Sequence, residues 1–203
     1  MRNGEFEKLL SIPPIWLGSI GSLWDYVTYN LIFTFLEGPG KVMGLAPYGS
    51  LDKDVYGKFL EVFDLENKDY PYILRDRFRV SGYRGGLFED SWRQYTAIAN
   101  FITGGPIEWD PPHGELDKRA VNIAYALQKF TEEAMLRLAE WARGHTNEQY
   151  LALAGGVALN AKANMVIHYA KLFSDIFIFP AANDAGTTVG AAAYVYEHVL
   201  VVR

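Results

Sequence analysis

The 203-residue chain contains no cysteine. Disulfides, thiolate nucleophiles and cysteine-ligated zinc are therefore excluded. Histidine is scarce. His113, His145, His168 and His198 are the four, and no two stand four residues apart. Positive charge is not in excess. The formal net charge of −5 argues against a nucleic-acid binder, which would carry a basic face. Long apolar runs are missing too. Residues 31–36 and 199–202 fall far short of the roughly 20 residues of a spanning helix. The opening residues 1–8 are charged and lack an apolar h-region, so no secretory signal is expected. These absences predict a cytoplasmic protein with neither membrane nor nucleic acid as partner. No internal repeat is visible, nor a Ser/His/Asp set or carboxylate pair spaced for independent hydrolysis.

What is present is half apolar, enough for the core of one domain or somewhat more. Two glycine-rich blocks stand out near the C-terminus. One is Leu151-Ala152-Leu153-Ala154-Gly155-Gly156-Val157-Ala158-Leu159-Asn160. The other is Phe179-Pro180-Ala181-Ala182-Asn183-Asp184-Ala185-Gly186-Thr187-Thr188-Val189-Gly190. Each reads as a strand that stops at small residues and turns into a helix. Small residues let backbone N–H groups approach a ligand, and a helix N-terminus favours anions. The pair points to a nucleotide or phosphate site. The plainer alternative is two tight strand–helix turns.

Residues 1–14 read as an irregular lead-in ending at Pro13-Pro14. The aromatic-rich stretch 20–36 predicts a buried helix, which Glu37-Gly38-Pro39-Gly40 then breaks. Residues 41–49 are a second breaker-rich stretch. Val55, Phe59, Leu60 and Phe63 have helical spacing. Residues 70–80 alternate as a strand, and 91–102 read as a helix ended by Gly104-Gly105-Pro106. Residues 106–116 form a Pro-rich loop containing His113, and Arg84-Gly85-Gly86 reads as a turn. The clearest helix spans 118–143, with Gly144 as its C-cap. On it, Glu132, Glu133 and Arg137 read as a solvated face. A short buried strand at 150–154, a helix at 158–170, a strand at 176–179 and a helix at 186–200 complete an α/β pattern with parallel pairing. Trp92 and Trp141 fall on helices and read as core.

Ile20-Gly21-Ser22-Leu23-Trp24, Gly40-Lys41-Val42-Met43-Gly44-Leu45-Ala46-Pro47-Tyr48-Gly49, Gly155-Gly156-Val157-Ala158-Leu159-Asn160 and Pro180-Ala181-Ala182-Asn183-Asp184-Ala185-Gly186 occur in that order. Together they resemble the NodU/CmcH-type carbamoyltransferases over roughly residues 15–200. The resemblance implies transfer of a carbamoyl group from carbamoyl phosphate to a small-molecule hydroxyl, through ATP and a carbamoyl-adenylate. It implies an actin-like fold of the ASKHA type, with a mixed sheet flanked by helices. Residues 15–203 then correspond to the C-terminal half of the transfer domain. The family also has an Asp-containing first strand, a His-x-x-x-His metal motif and a YrdC-like domain that makes the adenylate, and none of the three is in this sequence. Pro39 stands where the family commonly has Glu, two residues before the lysine.

The resemblance implies that Gly155 and Gly156 let the adenylate lie against the backbone, with a helix starting near Val157 aimed at its phosphate. Asn160 would add a side-chain hydrogen bond. Gly186 would lie near the ligand, and Gly190 would allow close packing. Asp184 matches the family's acidic metal ligand, with iron as the expected divalent ion held jointly with the missing histidines; otherwise it is a helix N-cap. Lys41, on a loop after the Gly-Pro-Gly turn, would meet a phosphate or carbamoyl oxygen as a mobile point charge; otherwise it is a solvated lysine. Met43 reads as packing, and Tyr48 as packing or the lining of an acceptor pocket. Two functions remain open beside each other. One is an O-carbamoyltransferase whose residues form one wall of the adenylate site. The other is a non-catalytic subunit or scaffold completing a split enzyme, whose partner supplies the N-terminal half or the YrdC-like domain. Its apolar stretch 15–36 would serve as interface, and self-association is a further possibility. A phosphotransferase of the same fold is a third reading, which the missing phosphate-binding first hairpin argues against.

Overall fold

A computed structural model describes residues 7–10, 19–34, 37–69, 71–78, 87–108 and 115–200, with side chains of 87–91 left out. Most of the predicted lead-in, Arg84-Gly85-Gly86 and His113 lie outside these residues.

Helix α1 (Ile20–Asn30) starts because the Ser19 hydroxyl accepts from the Ser22 N–H at 3.2 Å. It stops short of the predicted Leu36, since Ile32 takes a left-handed backbone at φ 64°. The break predicted at 37–40 is instead the start of α2 (Gly38–Leu45). Proline in a first helical turn loses no hydrogen bond, so Pro39 opens this helix rather than breaking it. Gly38 is set by contact: a Cβ there would fall 2.4 Å from Thr28 Cγ2. After the Ala46–Tyr48 turn, Gly49 presses on the next layer, where a Cβ would sit 2.1 Å from the Val121 carbonyl oxygen.

Helix α3 (Lys53–Val62) is capped by Asp52, which accepts from Asp54 and Val55 N–H, and it buries Phe59 and Val62. The strand predicted over 70–80 shrinks to a two-residue pairing. β1 (Phe63–Asp64) runs antiparallel to β2 (Ile73–Leu74), and Asp76–Phe78 follows as a 3-10 turn. Helix α4 (Leu87–Thr103) ends at Gly104 and Gly105, with φ of 74° and 96°. Helix α5 (Lys118–Thr146) outruns its expected end. Gly144 stays helical, and the left-handed cap is Asn147 at φ 54°. Asparagine tolerates that conformation better than most residues.

The last third alternates as expected: β3 (Tyr150–Leu153), α6 (Ala161–Tyr169), β4 (Asp175–Ile178) and α7 (Thr187–Val195), then a π-helical turn at Tyr196–Leu200. β3 and β4 pair in parallel. The architecture is mixed α/β and mostly helical, and the described residues form two separate two-stranded sheets rather than one mixed sheet.

Two cores result. The larger joins Leu23, Val27 and Leu31 of α1 to Phe59, Phe63, Leu127 and Phe130. Within the stretch 15–36 expected as an interface, Leu23, Trp24, Val27 and Leu31 are interior, while Tyr29 and Ile32 stay exposed. The smaller core sits under β3 and β4, where Ala139, Ile167 and Phe173 meet Leu151, Leu153 and Ile176. β3 is not the buried strand expected: Tyr150 is 70% exposed and Phe177 beside it is also open. No residue of α7 is buried. Trp92 is partly exposed rather than core. No helix among the described residues is long and apolar enough to cross a membrane.

Candidate functional site

Leu151 pairs with Ile176 and Leu153 with Ile178, so β3 and β4 end at the same edge of their sheet. The two glycine-rich turns leave from that edge. The Gly155 N–H donates to the Ala182 carbonyl at 2.7 Å and ties one turn to the other. Ligands of open α/β sheets bind outside the carboxyl ends of parallel strands. The two turns that carry Gly155, Gly156 and Asn160 on one side and Asp184 and Gly186 on the other, separated by up to 31 positions in sequence, are thus joined at Gly155 and Ala182.

Gly155 has φ 97°, where any side chain is strained. Gly156 faces open space, with nothing within 4 Å of a would-be Cβ. From Gly156 to Leu159 the chain makes a 3-10 turn, and the α-helix begins only at Ala161. The helix N-terminus expected near Val157 is therefore displaced. Asn160 is its cap: Oδ1 accepts from the Ala163 N–H at 3.0 Å. Asn164 clamps the same turn by donating from Nδ2 to the Ala158 carbonyl at 2.7 Å. Val157 packs toward Gly21 of α1, with Cγ2 3.5 Å from where a Cβ would stand.

Asn160 is only 7% exposed, and its amide is engaged from behind. It accepts from Gln128 Nε2 at 3.1 Å and donates to Gln128 Oε1 at 3.0 Å. Gln128 Nε2 also donates to Glu132 Oε1 at 3.2 Å, and Lys129 Nζ donates to Glu132 Oε2 at 3.0 Å. That bond to Glu132 holds the Lys129 ammonium above its ordinary pKa, against the lowering by burial. Glu132 is 8% exposed, so it is not on the solvated face expected of it. It shares the α6-facing side of α5 with Gln128, one turn away, whereas Glu133 bonds to Tyr56 and pairs with Arg137. Sequence reading passed over Gln128 altogether. The available signal was a polar i, i+3, i+4 set, Gln128, Thr131 and Glu132, inside a helix otherwise rich in buried apolar residues.

In the second turn, Asp184 opens the short 3-10 segment Asp184–Gly186 and is exposed. The capping residue there is Asn183, without a side-chain bond, so the N-cap alternative for Asp184 does not hold. Gly186 is fixed by packing: a Cβ would fall 2.2 Å from the Ala181 carbonyl oxygen. Gly190 has no such neighbour. No group of three metal-ligating side chains occurs among the described residues. Asp184 by itself does not make an iron site. Lys41 lies on α2 rather than on a loop, exposed and without a hydrogen bond or ion pair among the described residues. Tyr48 is exposed, and Met43 packs on the larger core.

Comparison with known proteins gives this arrangement a lineage. A family model described as Carbamoyltransferase N-terminus matches residues 5–193. An uncharacterized protein of Synechocystis sp. is 33% identical over 184 residues, 90% of this chain and 28% of its own length. Nodulation protein NolO of Bradyrhizobium diazoefficiens is 32% identical over 157 residues, 76% of this chain and 24% of its own. Nodulation protein U of Rhizobium tropici is 26% identical over 156 residues, 75% of this chain and 25% of its own. The chain thus spans about a quarter of the length of these relatives. With both glycine turns and the block at 41–49 inside the matched range, the chain belongs to the carbamoyltransferase family.

Proposed function

We propose that this chain serves O-carbamoyl transfer, with its paired glycine turns as the adenylate-side wall of the site in an actin-like domain. The observation that carries this is the Gly155–Ala182 hydrogen bond, which holds two small-residue turns together beyond parallel strand ends. Gly156 leaves the room that a nucleotide phosphate needs to approach the backbone. In the reaction, the acceptor hydroxyl oxygen attacks the carbamoyl carbon and AMP leaves with the bonding electron pair. A base takes the hydroxyl proton. Bringing the two reactants together supplies much of the acceleration. Lys41 contributes a movable positive charge for the phosphate or carbamoyl oxygen. Asp184 alone does not fit a metal.

Titration calorimetry of the 203-residue chain with ATP, with and without Mg²⁺ or Fe²⁺, tests this reading. Binding in the micromolar to millimolar range is expected. Silence at millimolar ATP sinks an autonomous nucleotide site. Gly156→Asp, which fills the open space with a like charge, is expected to weaken binding more than about tenfold. Unchanged affinity would reduce the glycine pair to a turn.

A second reading has its own observation. Tyr150, Phe177, Val189, Tyr194, Tyr196, Val199 and Leu200 leave apolar surface open along the sheet and the C-terminal helix. Parallel sheets are ordinarily covered on both faces. The chain would then act as a subunit that completes a carbamoyltransferase with the rest of that enzyme. Carbamoyl transfer that appears only on mixing the two parts would favour this reading.

A further inference from the structure

Gln128, Thr131 and Glu132 lie within one turn of α5, and all three are buried. Thr131 serves the contact with α1: it accepts from Trp24 Nε1 at 2.8 Å and donates to the Leu127 carbonyl at 2.8 Å. Gln128 and Glu132 run the other way, to the glycine turn, and every link has a forced polarity. The Ala163 N–H can only donate, so Asn160 must present its oxygen there. Its nitrogen then faces Gln128 Oε1, and Gln128 must turn its nitrogen to Asn160 Oδ1. The same nitrogen reaches Glu132, whose carboxylate can only accept. Lys129 closes the far end. Neither amide can flip without placing donor against donor. Burying a carboxylate costs desolvation that an apolar pair of the same volume would avoid. Such a network adds little to stability and much to orientation.

We propose that Gln128 and Glu132 are positioning residues of the glycine turn, setting the Gly155–Leu159 backbone for its ligand through the reciprocal Gln128–Asn160 amide pair. This rests on the turn being the adenylate-side wall, and the experiment separates the two claims. Gln128→Leu removes the pair. Asn160→Ser keeps a capping oxygen for Ala163 but is too short to reach Gln128. The full chain, each variant and the double variant are compared by amide hydrogen exchange and by ATP calorimetry. Losing a net hydrogen bond corresponds to roughly a tenfold effect. Amides 158 and 160 are therefore expected to exchange about tenfold faster in either variant, while those at 121–127 of α5 keep wild-type rates. ATP affinity falls about tenfold in each, and the double variant is no weaker than the singles. A merely structural role would lower the melting temperature without that exchange pattern. Unchanged protection at 158 and 160, or losses that add in the double variant, overturn the proposal. If the wild-type chain binds no ATP, the adenylate reading falls alone and the exchange data decide the positioning. Should Gln128→Leu not fold, Asn160→Ser carries the same comparison.

Discussion

Tyr72 is buried, and its hydroxyl has no hydrogen-bond partner among the described residues. Burial pushes its pKa well above the ordinary 10.0, with the neighbouring Tyr95 adding to the rise. Removing an unsatisfied buried hydroxyl recovers desolvation free energy, so Tyr72→Phe is expected to stabilise the fold by about 1 kcal/mol in urea denaturation at pH 7. The same burial gives a pH dependence. A raised folded pKa means that the stabilisation is complete below the unfolded value and disappears as pH climbs toward the folded one. Tyr56 acts in the same direction, raised by burial first and by its bond to Glu133 second. Melting temperature should therefore fall above about pH 10, and less steeply in Tyr72→Phe. Gly186→Ala has the opposite sign. Its Cβ meets a backbone carbonyl that cannot step aside, so a loss of about 2 kcal/mol is expected in the same assay. Gly155, Gly156 and Gly186 are legible in the sequence as turns, because runs of small residues punctuate the apolar stretches on either side. Gln128 is not, because its partner lies 32 positions away and nothing local marks it.

At the scale of elements, helix lengths and order could be read and their ends could not. The rhythm of α5 is clear in the sequence, yet the cap expected at Gly144 is provided by Asn147. Glycine is only permitted at such a cap, and the chain stays helical through it where the turn still packs. Asn147→Ala forces a Cβ-bearing, non-hydrogen-bonding residue into the left-handed region and should cost about 1 kcal/mol, whereas Asn147→Gly should be nearly neutral in thermal melts. The Gly38-Pro39-Gly40 run misled for a related reason. The same residues break a helix from inside and open one from its first turn, and only Thr28 and Phe33, packed against Gly38, decide which. Strand burial was misjudged because β3 is covered on one face alone, a fact that depends on what packs there rather than on its own residues.

Across the whole molecule the two cores differ in depth. The larger holds most of the fully buried side chains, while β3 and β4 stand on three buried residues and one covered face, and α7 buries none of its own. Native-state hydrogen exchange should therefore open β3, β4 and α7 at lower free energy than α1 and α5, and uniform protection would contradict this division. Helix α5 belongs to both cores: Leu127 and Phe130 lie in one, Ala139 in the other, and Met135 touches both. It is about 43 Å long at 1.5 Å per residue, a single rigid beam. Near one end Gly49 bears on the Val121 carbonyl, and further along Gln128 holds the glycine turn. A beam converts angle into distance. Gln128 stands about 10 Å along the helix from Val121, so a tilt of about 3° there shifts it by roughly 0.5 Å. The block at 41–49 and the turn at 155–160 thus bear on the same stretch of one helix. A methyl group at position 49 acts as a wedge against this stretch of α5, and its effect is to be read two turns along, at Gln128 and the turn it holds.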